Sequence, residues 1–367
     1  MTTADPVGLL VGALRIYSPS TEEGELAEYL CDSMKTLGYS RVRLDRSGNA
    51  IGEGGSGKTS LLLCGHMDTV PGILPVRRTP TTLHGRGAAD AKSPLCALLL
   101  AGAESMEAGV RVTFAGVTQE EGNGEGIEGL LADGSMYDCA VFGEPSGANR
   151  ITVGYRGRAS LNVKVRTQGG HAGSSWAHRS AFDEFLSVLE KARDFESARS
   201  VRGDHYRSVS LTPTLVRSGT SHNVVPDSCE ATIDLRVPPG TTVREVVRSF
   251  KRFVRPREPG ASVSVASGPP TEPYEAPVRS KVVRALQRAV LLRLKTRPVL
   301  VRKTGTGDMN TFAQRTRGAS CVTYGPGLSK TSHTDHEAVR VRDYLDSIEV
   351  LKEAVRQLGS LAENGDI

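Results

Sequence analysis

Two histidines and four carboxylates carry the most telling chemistry in this sequence. His66 closes the run "LLLCGH", Asp90 stands in "GRGAADAKS", Glu120 and Glu121 are adjacent in "TQEEG", Glu144 sits in "VFGEPSG", and His333 opens "HTDHE". Imidazole nitrogen and carboxylate oxygen are donors that suit zinc or cobalt, and one carboxylate can bridge two ions about 3.5 to 4 Å apart. Neighbouring Glu120 and Glu121 crowd like charges, which is costly without a cation to receive them. If one of them binds metal, the other can act as a base on water.

A competing signal is "GEGGSGKTS", which matches the phosphate-loop pattern from Gly52 to Thr59. That pattern works only where a strand leads in and a helix leads out, because the helix N-terminus helps to hold the phosphates. Here "SLLLCG" follows, a short apolar run of the kind that fills a strand buried on both faces. Two strands joined by Gly, Ser and Lys predict a hairpin-like turn, and the nucleotide reading is set aside.

The elements that must position the candidate ligands follow from the same patterning. Residues 7–16 and 22–37 read as helices, "RVRLDRSGNAIGE" as a strand, and "SPLCALLLAGAESMEAG" as a helix that Ser93 can cap with Pro94 in its first position. "VRVTFAGVTQEEG", "YDCAVFGEPSG" and "ASCVTYGPG" read as further strands. Strands alternating with helices predict an α/β fold with a mostly parallel sheet covered by helices. Ligands of such a sheet bind beyond the carboxyl ends of its strands, which is where His66, Glu120, Glu121, Glu144 and His333 fall. Between residues 156 and 268 the order becomes strand, helix, strand, strand, helix, strand, that of a ferredoxin-like α+β domain. The expected division is therefore 1–155 with 269–367, and an inserted 156–268.

Composition narrows the class. The 367 residues are 38% hydrophobic, enough for ordinary cores, with a formal net charge of +5. Six cysteines form no C-x-x-C pair, no leader-like segment opens the chain, and "VGLLVGALRI" is too short to span a membrane. The expectation is a reduced, cytoplasmic protein with no membrane role. Arginine-rich stretches at 251–258 and 284–298 suit an acidic partner, whereas 5% aromatic residues and no nucleic-acid motif argue against nucleic acid.

Taken together, "GHMDTVPG", "GRGAADAKS", "TQEEGNGEG", "VFGEPSG", "GGHAGSS" and "HTDHE" resemble the acetylornithine deacetylase, succinyl-diaminopimelate desuccinylase and carboxypeptidase G family over almost the whole chain. The resemblance implies a zinc exopeptidase-like amidohydrolase with two divalent ions, zinc first and cobalt second, and a homodimer formed through the inserted domain. It implies His66 and Glu121 on one ion, Asp90 bridging, Glu144 and His333 on the other, and Glu120 as general base and acid. Asp68 would orient His66. His333 and His336 are both candidates within "SHTDHE", and alignment on Glu337 favours His333; Asp335 and His336 replace the proline and neutral residue frequent in the family. A cis peptide between Asp90 and Ala91 is implied as well.

His171 would reach an active site, often the partner subunit's, and stabilise the oxyanion formed at an amide carbonyl. Arg236 in "TIDLRVPPG" resembles the family arginine near a substrate carboxylate, and Asn223 in "SHNVVP" is a second polar contact. "RKTGTGDMN" offers Lys303 and Asp308 to a substrate carboxylate and amine. This stretch, with "FGEPSG" and "ITVGYRGR", resembles the branch that frees lysine or ornithine from the C-terminal glutamate of a small acidic amino-group carrier protein. A small-molecule deacylase acting on acetylornithine or acetyllysine is the alternative.

Overall fold

The computed structural model describes residues 5–256, 260–316 and 318–363, so Arg257 and Glu258 of the first basic stretch lie outside the described residues. The chain divides into two compact units. One comprises Met1–Gly154, Ala276–Arg302 and Gly307–Ile367; the other comprises Tyr155–Glu275 and Lys303–Thr306.

In the first unit four strands run parallel side by side: Val110–Val117, Thr59–His66, Cys139–Gly143 and Ser320–Tyr324. Ala50–Gly54 and Ser40–Leu44 continue the sheet antiparallel beyond Val110–Val117, and Arg150–Tyr155 lies antiparallel to Ser320–Tyr324. Thr59–His66 and Cys139–Gly143 are buried along their whole length, as continuous apolar strands covered on both faces should be. Helix Lys92–Glu104 is buried from Lys92 through Gly102 and packs on Thr59–His66 and on helix Val341–Glu363. Its sequence is apolar on every side, which fits a helix with no solvent face.

Three expectations need correction here. "RVRLDRSGNAIGE" is not one strand but a hairpin of Ser40–Leu44 and Ala50–Gly54. Asp45 turns the chain by accepting hydrogen bonds from the Ser47 and Asn49 amides (2.8 and 3.0 Å), and Gly48 takes a left-handed φ of 81°.

The glycine-rich run is not a hairpin turn either. Strand Val110–Val117 lies between Ala50–Gly54 and Thr59–His66, pairing with both. The connection therefore passes across the start of that strand, and a Cβ on Gly57 (φ 151°) would sit 2.0 Å from the Gly109 carbonyl oxygen. The glycines serve a close crossing of backbone over backbone.

Ser93 does not cap its helix, which starts at Lys92; its hydroxyl donates instead to the Ala88 carbonyl at 2.6 Å.

The second unit follows the strand, helix, strand, strand, helix, strand order. Its sheet runs Ser210–Ser218, Ser228–Val237, Gly157–Arg166, Ser262–Ser267, all pairs antiparallel. Gly157–Arg166 alternates buried with more exposed residues, and its inner face joins Phe185, Val188, Phe195, Val247 and Phe250 of the two helices in one core. Helix Val243–Phe253 begins with a capping box, the Thr242 hydroxyl accepting from the Glu245 amide and the Glu245 carboxylate from the Thr242 amide.

The segment that follows 268 keeps hydrogen bonds to the second unit. Arg158 and Thr271 exchange backbone hydrogen bonds, the Val243 amide donates to Glu272, and Tyr206 donates to Glu275. All six cysteines are buried, and none forms a disulfide. Among the described residues, no helix is long and apolar enough to cross a membrane.

Candidate metal centre

The carboxyl ends of the four parallel strands deliver the candidate ligands to one place. His66 is the last residue of its strand, Glu120 and Glu121 follow Val117 by a short turn, Glu144 comes directly after Gly143, and His333 lies in the loop beyond Tyr324. Asp90 precedes helix Lys92–Glu104, and its peptide bond to Ala91 is cis. Gln119 and His333 hold left-handed φ values of 57° and 63°, conformations that non-glycine residues adopt at a cost and that cluster at functional sites.

His66 Nε2 lies 3.4 Å from Asp90 Oδ1 and 3.8 Å from Glu144 Oε1. His333 Nε2 lies 2.6 Å from Glu121 Oε1 and 3.4 Å from Asp90 Oδ2. Two triads, His66–Asp90–Glu144 and Asp90–Glu121–His333, thus share Asp90, each with its ligand atoms within 4.8 Å of one another. These distances correct the pairing that the resemblance implied, which joined His66 to Glu121 and Glu144 to His333. The two oxygens of Asp90 face different histidines, so each histidine takes the glutamate on its own side. Glu121 also comes within reach of His66 in a third grouping, with Glu120. His336 is in none of the groupings; its amide donates to the Thr334 hydroxyl.

Whether these residues fit metal ions can be judged from what they leave unbalanced. His66 is 2% exposed, and its Nε2 makes no hydrogen bond although it faces two carboxylates. An orphaned buried nitrogen is costly unless something else receives its lone pair. Burial pushes the Glu120 carboxyl well above the usual range; His66 opposes that shift, while Glu144, Asp308 and Glu121 add to it. Asp308 is pushed up to about 7, again by burial first, against the pull of His66 and with Glu144 and Asp68 adding to the rise. A concentration of half-buried acids this unfavourable is what bound cations would relieve. The donor set fits divalent ions.

Asp68 is fully buried and does more than the resemblance implied. The shorter contact to the His66 ring is from Nδ1 to the Asp68 backbone carbonyl, 2.8 Å, with the carboxylate at 3.4 Å. A proton on Nδ1 leaves Nε2 as the ligating atom. The carboxylate itself accepts from the Glu120 amide (3.0 Å), the Glu121 amide (3.0 Å) and the Ser20 hydroxyl (2.6 Å). Burial works against its ionisation, but His66, Ser20 and the Glu120 amide outweigh it and hold the carboxyl below its ordinary value. Glu23, also buried, accepts from the Gln119 amide at 2.9 Å and secures the same turn. Sequence reasoning missed Ser20 and Glu23, because both lie about 100 positions before the turn they help to hold and share no pattern with it.

The remaining candidates belong to different places. Asp308 opens helix Asp308–Arg315 in the first unit, beside the acidic cluster. His171, Asn223, Arg236 and Lys303 belong to the second unit. His171 is exposed, and its Nδ1 accepts from the Gly173 amide at 3.0 Å. The Asn223 carbonyl receives the Ala172 amide, tying the two loops together. Arg236 is engaged by Asp234, with Nε 2.6 Å from Oδ1, and its Nη1 lies 3.4 Å from the Thr306 hydroxyl. Lys303 Nζ stands 5.7 Å from the centre of the Tyr155 ring.

Residues 62–357 match peptidase family M20/M25/M40, and the chain belongs to that family; it is a metal-dependent hydrolase. A Pyrobaculum aerophilum protein, provisionally named a LysW-lysine/LysW-ornithine hydrolase, is 36% identical over 96% of this chain and 97% of its own length. The LysW-lysine/LysW-ornithine hydrolase of Sulfurisphaera tokodaii is 29% identical over 95% and 94%. Among solved structures, the aminopeptidase PepT of Bacillus cereus superposes with a TM-score of 0.82 at 20% identity, covering 96% of this chain and 98% of that one. The last likeness speaks to fold alone.

Proposed function

We propose that this hydrolase releases lysine and/or ornithine from the γ-carboxyl of the C-terminal glutamate of an acidic amino-group carrier protein, as a step of lysine and arginine biosynthesis. The observation that carries the chemistry is the pair of triads sharing Asp90 beside half-buried Glu120. The substrate rests on relatives of that name that align over nearly their full lengths.

In this reading His66, Asp90 and Glu144 hold one ion, and Asp90, Glu121 and His333 hold the other, zinc before cobalt. Two divalent ions, when bound, polarise an amide carbonyl and make water more acidic. Glu120 takes the proton of the attacking water and returns it to the departing amine as the C–N bond breaks. His171, supplied by the partner subunit of a homodimer, donates to the carbonyl oxygen as it gains charge. Arg236 and Asn223 receive the glutamate end of the carrier, and Lys303 and Asp308 meet the carboxylate and amine of the amino acid to be released. The net charge of +5 favours approach of an acidic carrier, and the setting is cytoplasmic.

The deciding experiment incubates the purified protein with carrier-linked lysine, carrier-linked ornithine, acetyllysine and acetylornithine, and follows release by mass spectrometry. Release from the carrier conjugates is the expected result. Turnover of the free acetyl amino acids alone would move the assignment to a small-molecule deacylase.

A further inference from the structure

Glu337 is an acidic side chain that the proposed reaction does not use, and it is 1% exposed. Its Oε1 accepts two consecutive backbone amides, Ala89 at 3.0 Å and Asp90 at 2.9 Å. Its Oε2 accepts from Arg86 Nη1 at 3.0 Å. The same guanidinium donates to the Thr334 carbonyl (3.2 Å) and, through Nε, to the Gly72 carbonyl (3.1 Å). The Glu337 carbonyl in turn receives the Gly85 amide, and Ala338 then pairs with His84 as strand.

These bonds join two segments almost 250 residues apart. One carries Asp90, the other His333, and their side chains meet at 3.4 Å. An ionised carboxylate that receives two amides and a guanidinium makes strong, directional bonds, and a buried pair of this kind holds its geometry because breaking it leaves a charge uncompensated.

We infer that Glu337 and Arg86 are positioning residues of the metal centre. They fix the backbone on which Asp90 presents one oxygen to each histidine, and they set the distance between the Asp90 and His333 loops. The inference rests on the reading of the two triads as a two-ion site, and it is independent of which amide is cleaved. Arg86→Lys keeps the positive charge but cannot satisfy Glu337, Thr334 and Gly72 from one planar fork. Glu337→Gln keeps an oxygen for the two amides but opposes a donor to the guanidinium.

The test titrates cobalt(II) into the chelator-stripped full-length protein, following stoichiometry by mass spectrometry of the metal and ligand geometry by visible absorption. Wild type is expected to take two ions. Both variants should bind at least the second ion about 10- to 100-fold more weakly, the usual effect of losing a partner that orients a metal ligand, with an altered spectrum. Leu286→Ala, which removes a fully buried side chain from helix Lys281–Leu294, a helix with no residue in the metal-ligand groupings, serves as a control and should bind cobalt as wild type does. Should Glu337→Gln fail to fold by circular dichroism, Arg86→Lys decides. A folded Arg86→Lys protein with wild-type cobalt affinity and spectrum overturns the positioning role while leaving the two-ion reading intact. A wild-type protein that takes fewer than two ions overturns both.

Discussion

At the scale of single residues, the proposed mechanism separates the groups that hold charge from the group that moves a proton. Glu120 and Glu121 are adjacent, yet His333 touches Glu121 at 2.6 Å while burial raises the Glu120 carboxyl, so their roles diverge although their chemistry is the same. Glu120→Gln should therefore retain both ions and lower turnover by roughly two to four orders of magnitude, the range for a positioned proton carrier. Metal content and kcat measured on one preparation check this. Near-normal turnover would remove Glu120 from the mechanism, and loss of an ion would make it a ligand. The candidate ligands His66, Glu120, Glu121 and Glu144 were legible because each follows an apolar run, whereas Asp90 and His333 were read from motif resemblance. Their pairing was not legible, since which glutamate faces which histidine depends on the loop conformations after Val117 and Tyr324.

At the scale of elements, the instructive segment is the glycine-rich run between Ala50–Gly54 and Thr59–His66. Its letters fit a phosphate loop, and the absence of a following helix was enough to reject that reading. What could not be read was the strand inserted between the two, because Val110–Val117 lies some 50 residues further along and local turn chemistry carries no record of it. Gly57→Ala should place a methyl group against the Gly109 carbonyl and cost about 1 to 3 kcal/mol, as overpacking does. Urea unfolding should show a lower midpoint with an unchanged slope. An unaltered midpoint would mean that the crossing has room to spare. The inserted unit was more legible: period-two strands and amphipathic helices announced its order. The segment "GPPTEPYE" reads as linker, and bonds of Thr271, Glu272 and Glu275 tie it to that unit.

At the scale of the whole molecule, the proposed reaction calls on residues of both units, Glu120 in one and His171 in the other. If His171 acts in the partner's site, Glu120→Gln and His171→Ala chains, each nearly inactive alone, should complement when mixed. Subunit exchange gives dimers of which half are mixed, each with one intact site, so recovery should approach roughly a quarter of wild-type activity. No recovery, with exchange demonstrated by mass spectrometry, would place His171 in its own chain's reaction or in none.

The inserted unit departs from the sheet after Gly154, and the chain returns at Ala276, whose amide donates to the Val153 carbonyl at 2.7 Å. Departure and return are thus neighbours, and the intervening stretch is topologically an appendage, comparable to a long loop tied off at its base. The entropy cost of closing such a base grows only slowly with the length of the stretch. In evolutionary terms, a unit whose two ends lie side by side is the kind that a single insertion can add to an existing domain. A chain in which a short glycine-serine linker replaces residues 155–275 should accordingly still fold and bind cobalt while losing turnover. Failure to recover any folded protein from it would show that the two parts matured together.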